Sequence, residues 1–135
     1  DESKALRLRV KIRFPDASDR KGFGFCVTAA NIYTAHTDTT SGEVRFIYNA
    51  GTMYAQNANG TATFTDVSSG ITFTNWNLYE IVFTPGVDIK YYINGTLKAT
   101  HTTNLPTTGT LLLAYGADAN GRQIETTHPI LSIQI

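Results

Sequence analysis

The acidic residues are the first candidates for chemistry. Two carboxyl groups about 5 Å apart, or about 6.5 to 9.5 Å apart, can hydrolyse a glycosidic bond. The acids that lie in or beside strand-like runs are isolated from one another in the sequence: Glu43, Asp66, Glu80, Asp88, Asp118 and Glu125. Glu80 also falls on the outward side of an apolar alternation. The pattern favours a non-catalytic protein, with a hydrolase as the minor alternative.

The histidines and the cysteine show no ligand or nucleophile spacing. Cys26 is the only cysteine, so neither an intrachain disulfide nor a thiolate zinc site can form. The histidines lie far apart and have no paired acid nearby, which favours surface or strand-end positions: His36, His101 and His128. We therefore expect no cofactor.

Calcium is the one weak metal candidate. Asp118 and Asn120 stand in a DANG sequence that is similar to the start of an oxygen-rich loop. Calcium takes six to eight oxygen ligands, and three residues without a carboxylate follow before Glu125. An Asp/Asn/Gly turn explains the sequence better, and Asn120 is kept as a candidate ligand-binding residue.

The first strand-like run carries a row of cations, which we call the basic row: Arg7, Arg9, Lys11 and Arg13. Every second residue of a strand points to the same face, so these side chains recur about every 7 Å. The row predicts contact with an anionic ligand or with another subunit. Two structural interpretations remain beside these: a solvated face balanced by neighbouring acids or threonines, and a charged edge that prevents aggregation.

Aromatic side chains are candidate platforms for sugar rings, although most must fill the core of so small a domain. Trp76, between two asparagines, is either a core plug or a platform. Tyr92 faces outward by parity and is the second candidate. Arg45 shares its face with Glu43, a mixed surface that predicts part of a groove. The candidate ligand-binding residues are thus Trp76, Tyr92, Arg45 and Asn120.

Composition describes one compact domain over residues 1–135. The chain has 11 basic and 11 acidic residues, so its formal net charge is zero and no nucleic-acid partner is expected. No apolar run approaches the roughly 20 residues that span a bilayer, so no membrane insertion is expected. The chain begins at Asp1 and its one methionine is Met53, which indicates a processed product or part of a longer protein.

Short strands account for nearly the whole chain. Strict alternation over residues 5–14 predicts a half-buried first strand. Turn residues bound the other predicted strands, which cover residues 22–27, 32–36, 44–48, 52–55, 61–67, 71–74, 78–84, 89–93, 96–101, 111–115 and 130–135. Threonine, with 21 residues, favours strand over helix. So many short strands predict an all-β fold with two packed antiparallel sheets, or a barrel.

Two Asn-Gly pairs predict two-residue hairpin turns, because both residues tolerate positive φ. Asn94-Gly95 is the clearer case, and its strand places Ile89, Tyr91 and Ile93 inward. Asn59-Gly60 is the other.

Three segments carry a resemblance to a known superfamily: WNLYEIVF from Trp76, IKYYINGTLKATH from Ile89, and NLP from Asn104. Over residues 74–116 the chain resembles the later strands of concanavalin A-like lectin and glucanase domains. The resemblance implies a jelly-roll sandwich in which the first and last strands lie side by side. The superfamily's retaining glucanases carry an E-x-D-x-E strand, and this sequence has none.

The superfamily includes lectins, carbohydrate-binding modules, hydrolases and bacteriophage structural domains, so the resemblance implies the fold more specifically than the function. Among these we expect a non-catalytic, lectin-like carbohydrate-binding or adhesion module. The alternative is a structural subunit or fibre domain of a virus, phage or surface appendage. Expected partners are glycans or other subunits, including copies of the chain itself, in an extracellular, cell-surface or virion location.

Overall fold

The computed structural model describes residues 5–16, 20–27, 32–37, 39, 42–107, 111–117, 124–127 and 130–133. These residues form eleven strands: β1 Leu6–Arg13, β2 Arg20–Cys26, β3 Glu43–Asn49, β4 Thr52–Ala58, β5 Ala62–Asp66, β6 Asn77–Thr84, β7 Asp88–Ile93, β8 Thr96–His101, β9 Leu112–Ala117, β10 Glu125–Thr126 and β11 Ile130–Ile133. Within the described ranges there is no helix, and hence none long and apolar enough to cross a membrane.

The strands form two antiparallel sheets. One has the order β5-β4-β3-β2-β9, and we call it the five-stranded sheet. The other, the six-stranded sheet, has the order β10-β1-β6-β7-β8, with β11 also pairing to β1. This arrangement confirms the all-β jelly-roll sandwich.

The first and last strands lie side by side, as the resemblance implied. β11 pairs with the first half of β1, and β10 pairs with its end, where Ile12 lies opposite Thr126. β6 pairs along the other side of β1. The charged-edge interpretation of the basic row is therefore wrong, because β1 has neighbours on both sides.

Alternation along each strand builds the core between the sheets. Leu8, Val10 and Ile12 of β1 are buried, while the cations between them face solvent. Aromatic rings fill the centre, with Tyr79 of β6 in edge contact with Phe23 and Phe46 at 5.0 and 5.2 Å between ring centroids. Burial of each of these two phenylalanine rings stabilises the sandwich by roughly 1.5 to 3 kcal/mol.

The two Asn-Gly turns differ. Asn94 and Gly95 have φ of 52° and 79°, and Ile93 pairs with Thr96, which confirms a two-residue turn. After β4, however, Ala58 pairs with Ala62, so residues 59–61 form a three-residue connection. The prediction of a two-residue turn at Asn59-Gly60 is wrong.

Two predicted strands are also wrong. Residues 71–74 are a turn that covers one end of the sandwich, where the ring of Phe73 packs 5.0 Å from that of Tyr48 and the Phe73 carbonyl accepts from the Phe14 amide. Residues 32–36 form turns that lie against the outer face of the five-stranded sheet. Their apolar residues serve packing rather than strand pairing.

Candidate functional site

The outer face of the five-stranded sheet concentrates polar and aromatic side chains. Cross-strand pairing places Gly24, Arg45, Gln56 and Phe64 in one row across β2, β3, β4 and β5. The parallel row through Ile47 joins Tyr54 to Asp66. Period-two alternation keeps these side chains on one face.

A buried polar network forms the floor of this face. Arg45, Glu43 and Gln56 are completely buried. One guanidinium nitrogen of Arg45 lies 3.2 Å from Glu43 Oε2, and Nε donates to Gln56 Oε1 at 2.6 Å. Gln56 Nε2 donates in turn to Glu43 Oε2 at 3.3 Å. A buried ion pair needs such extra hydrogen bonds to offset desolvation, and here it fixes β3 against β4.

Segment 32–37 covers the Arg45 side of this network. The carbonyl of Ala35 accepts a hydrogen bond from Arg45 Nη2 at 3.1 Å. Ile32 is buried against Cys26 and Ala114. A side chain on Gly22 would overlap the Ile32 carbonyl oxygen, so glycine is what allows the segment to lie so close.

An aromatic cluster borders the covered region, and we call it the aromatic patch: His36, Tyr54 and Phe64. His36 stacks on Tyr54 with ring centroids 3.8 Å apart and 8° between the planes. Phe64 meets both rings edge-on, at 4.7 Å from His36 and 6.1 Å from Tyr54. Phe64 is 45% exposed, so the patch presents an apolar ring to solvent.

Polar groups adjoin the aromatic patch. His36 Nδ1 is buried and has no hydrogen-bond partner among the described residues. Burial, and then the charge of Arg45, lower the pKa of His36, so its imidazole is neutral at pH 7. Asp66 is exposed beside Tyr54, and a hydrogen bond from the Ser68 amide lowers its pKa, which keeps the carboxylate charged.

Solved structures share this architecture. Galectin LEC-6 of Caenorhabditis elegans matches with a TM-score of 0.66 at 15% identity, over 96% of this chain and 83% of the galectin. The β-glucanase of Bacillus licheniformis matches with a TM-score of 0.61 at 20% identity, over 87% of this chain and 56% of the enzyme. The carbohydrate binding module CBM66 of Bacillus subtilis matches with a TM-score of 0.55 at 9% identity, over 95% of this chain and 74% of the module. The chain has the concanavalin A-like jelly-roll fold.

At these identities the likeness establishes the fold alone, and the chain spans little more than half of the glucanase. No protein-family model matches the sequence, and no curated protein matches it. Function within the concanavalin A-like fold therefore depends on the side chains that it carries.

The acids that the structure describes in this concanavalin A-like domain lie apart. Glu43 is held by Arg45, whereas Glu80 and Asp88 belong to the six-stranded sheet and lie near Arg9 and Lys90. Strand spacings place the backbones of Glu43 and Asp66 about 16 Å apart, well beyond a hydrolytic separation. Among the described residues no group of three His, Cys, Asp or Glu side chains could hold a metal.

The predicted ligand-binding residues do not meet in one place. Arg45 shares its face with Glu43, as predicted, but segment 32–37 and the sheet bury it. Tyr92 is half-buried on the outer face of the opposite sheet. Trp76 is 45% exposed before β6, with the Arg13 guanidinium 5.3 Å from its ring centre, which contradicts the core-plug interpretation. Asn120 and Asp118 lie outside the described residues.

Sequence reasoning missed the aromatic patch. Tyr54 and Phe64 belong to predicted strands, but a two-residue turn at Asn59-Gly60 would have turned Phe64 to the inner face. The sequence predicts a separate strand over residues 32–36, which gives no indication that His36 stacks on Tyr54. The outward position of Tyr54 could have been predicted from the alternation along β4, because Met53 and Ala55 on either side of it are buried in the core.

Proposed function

We propose that this protein is a non-catalytic carbohydrate-recognition module that holds a glycan on the aromatic patch. The observation that carries the proposal is the solvent-exposed ring of Phe64 beside the His36–Tyr54 stack. A pyranose presents an apolar C–H face, which packs on such rings, and hydroxyl groups around its rim.

A polar group adjoins the aromatic patch where the hydroxyls of a bound sugar could reach it. The Asp66 carboxylate is exposed beside Tyr54 and can accept hydrogen bonds. The buried Arg45–Glu43–Gln56 network holds β3 and β4 in place. A ligand then meets a surface that is already organised, which lowers the entropic cost of binding.

The non-catalytic part of the proposal rests on the carboxylates rather than on the fold, which a β-glucanase shares. Glu43 is neutralised by Arg45 inside the protein, and Asp66 is too distant to act with it. Among the similar structures, CBM66 is a carbohydrate binding module, which supports the proposed class.

The site of action we propose is an extracellular, cell-surface or virion setting in which the domain is repeated. A shallow patch with one exposed ring gives weak binding on its own. Repetition in a larger assembly raises the effective concentration and converts weak contacts into stable adhesion.

A glycan array of neutral, sialylated and sulfated sugars, probed with the domain displayed multivalently, tests the proposal. Phe64→Ala is expected to weaken binding to the neutral sugars that the wild type retains by about three- to tenfold, as for one lost aromatic contact. The matched control is Leu97→Ala, because Leu97 is similarly exposed, at 49%, on the edge strand of the other sheet.

Leu97→Ala should leave neutral-sugar binding unchanged, and both variants should keep the melting temperature of the wild type within a few degrees. An array without neutral-sugar hits, or equal losses in the two variants, would contradict the assignment to the aromatic patch.

A structural subunit is the second candidate, and strand β9 favours it. Leu112 and Tyr115 of this strand are 47% and 67% exposed, and β9 carries no charged residue. Within the described residues β9 ends the five-stranded sheet, and proteins usually protect such an edge with charges, proline or a covering element. Pairing with a second copy through β9 would explain this composition.

A further inference from the structure

The outer face of the six-stranded sheet carries an incompletely neutralised set of cations. Here the basic row of β1 lies beside the outward residues of β6, and the register pairs Arg7 with Val82, Arg9 with Glu80, and Lys11 with Leu78. The β6 residues opposite these three cations are therefore apolar, acidic and apolar in turn. Arg7 and Lys11 therefore lie next to aliphatic side chains rather than carboxylates.

Only half of the basic row has an acidic partner among the described residues. Arg9 Nε lies 3.8 Å from Glu80 Oε2, a loose contact, and Arg13 Nε lies 2.6 Å from Glu125 Oε2. Arg7 and Lys11 are exposed, and no ion pair involves either of them in the described part of the chain. Among the residues that the structure describes, the predicted balance of the row by neighbouring acids is thus incomplete.

The charged surface continues across the sheet. Lys90 of β7 lies in the row of Arg7, two strands away and hence about 10 Å distant. Tyr92 lies in the row of Arg9, next to Glu80, with Leu97 of β8 on its far side. A half-buried phenol ring therefore stands beside the cations. We call this surface the basic face: Arg7, Arg9, Lys11, Lys90 and Tyr92.

We propose that the basic face binds a linear acidic polysaccharide that carries sulfate or carboxylate groups. Guanidinium groups bind such oxyanions through paired N–H donors, and the row repeats a cation about every 7 Å along β1. Tyr92 offers a ring for a sugar face, and Glu80 can accept hydrogen bonds from hydroxyls between the anionic groups. The site is separate from the aromatic patch, on the opposite sheet.

Glu80 is the reason to prefer a polysaccharide over a phosphate-dense partner. Duplex DNA carries one charge per about 1.7 Å of helix, four times denser than the row, and would place phosphates against Glu80 and Asp88. Spaced anionic groups separated by hydroxyls match this face better.

Calorimetric titration with a heparin oligosaccharide, at 50 and 150 mM salt, tests the proposal. Arg7→Gln with Lys11→Gln should weaken binding at least about tenfold at the lower salt, since two charge-assisted contacts are lost. The matched control removes the same charge elsewhere, through Arg20→Gln with Lys98→Gln, and should change the dissociation constant by less than about twofold. Both double variants should melt near the wild-type temperature.

Several outcomes would overturn the proposal. These are an absence of wild-type binding to heparin, equal losses in the two double variants, and tighter binding to duplex DNA or to phosphatidylserine vesicles than to heparin. Phe64→Ala should leave heparin binding unchanged, and a loss there would contradict a separate site. A blank result for neutral sugars would leave the basic face supported, so the two proposals fail separately.

Discussion

His101 is a buried residue with a hydrogen-bond partner at each ring nitrogen. Its Nδ1 lies 2.6 Å from Asn57 Oδ1, and its Nε2 lies 2.9 Å from Thr65 Oγ1. Asn57 Nδ2 already donates to the carbonyls of Thr103 and Asn104, so its oxygen faces His101 and accepts the Nδ1 proton. In the neutral ring, Thr65 donates to Nε2. The network joins β4, β5 and β8 at this edge of the sandwich.

Acid should therefore destabilise the fold in the histidine range. Burial lowers the pKa of His101, and burial with the Arg45 charge lowers that of His36. Below about pH 6.5 the unfolded chain binds more protons than the folded one, so the free energy of unfolding falls as the pH falls. Urea unfolding at pH 7, 6 and 5 measures this slope.

His101→Gln should flatten that pH dependence, because one of the two contributing groups is removed. Asp66 does not confuse the result, since its pKa is lowered from 3.8 and it titrates below the window. A free energy of unfolding that stays constant or increases as the pH falls from 7 to 5 would contradict the assignment of neutral imidazoles to His36 and His101.

At the scale of single residues, the sequence predicts which face of a strand a side chain occupies better than it predicts whether that side chain is exposed to solvent. Alternation placed Arg45 on the same side as Glu43, and this is confirmed by the ion pair between them. It could not show that Arg45 is buried, because the cover comes from segment 32–37, whose position depends on contacts with Gly22 and Ala114 rather than on any local periodicity.

At the scale of elements, Gly22 decides how segment 32–37 lies on the sheet. Gly22→Ala places a methyl group against the Ile32 carbonyl, so either the strand or the segment must move. We expect a loss of about 1 to 3 kcal/mol in unfolding free energy, as in other overpacked sites. The displaced segment should also raise the pKa of His36 towards its ordinary value of about 6.5.

Urea unfolding and an NMR titration of His36 measure both effects. Gly60→Ala is the control: Gly60 has a φ of 77° and nothing within 4 Å of an added methyl. It should cost about 1 kcal/mol through backbone strain while leaving the His36 titration unchanged. An unchanged His36 pKa in Gly22→Ala would contradict the role assigned to this glycine.

The length of the turn between β4 and β5 decides which face of β5 points outward, and the sequence did not predict that length correctly. The three-residue connection at 59–61 pairs Gln56 with Phe64, whereas a two-residue turn would have paired Gln56 with Thr63. A one-residue difference moves every side chain of a strand to the other face. Phe64 therefore belongs to the aromatic patch rather than to the core. The strictly alternating β1 had no such ambiguity and was predicted almost to the residue.

At the scale of the whole molecule, the two-sheet topology was predictable because strand count and resemblance agreed. Threonine content and closely spaced turn residues favoured strands over helix, and the motif at residues 76–106 implied the order of the later strands. Neither could show that Arg45 and Tyr92 lie on opposite faces, because that separation depends on which strands pair with which sheet. The candidate site was consequently harder to predict than the fold.

Strand β9 offers an edge through which two copies of the whole molecule can pair. Two copies that pair antiparallel through β9 form a closed, self-complementary contact, which also covers the exposed rings and methyl groups of Leu112, Leu113 and Tyr115. Light scattering should then give twice the mass of one chain at micromolar concentration. Tyr115→Lys should return the monomer, because a charge on an edge strand opposes strand addition.

Leu97→Lys is the matched control, since Leu97 is exposed on β8, the edge strand of the six-stranded sheet. It should leave the dimer intact. A dimer would also present two aromatic patches and two basic faces, so glycan retention should fall in Tyr115→Lys even though no glycan contact is changed. A monomeric wild type, or dissociation by Leu97→Lys alone, would remove β9 as the assembly surface.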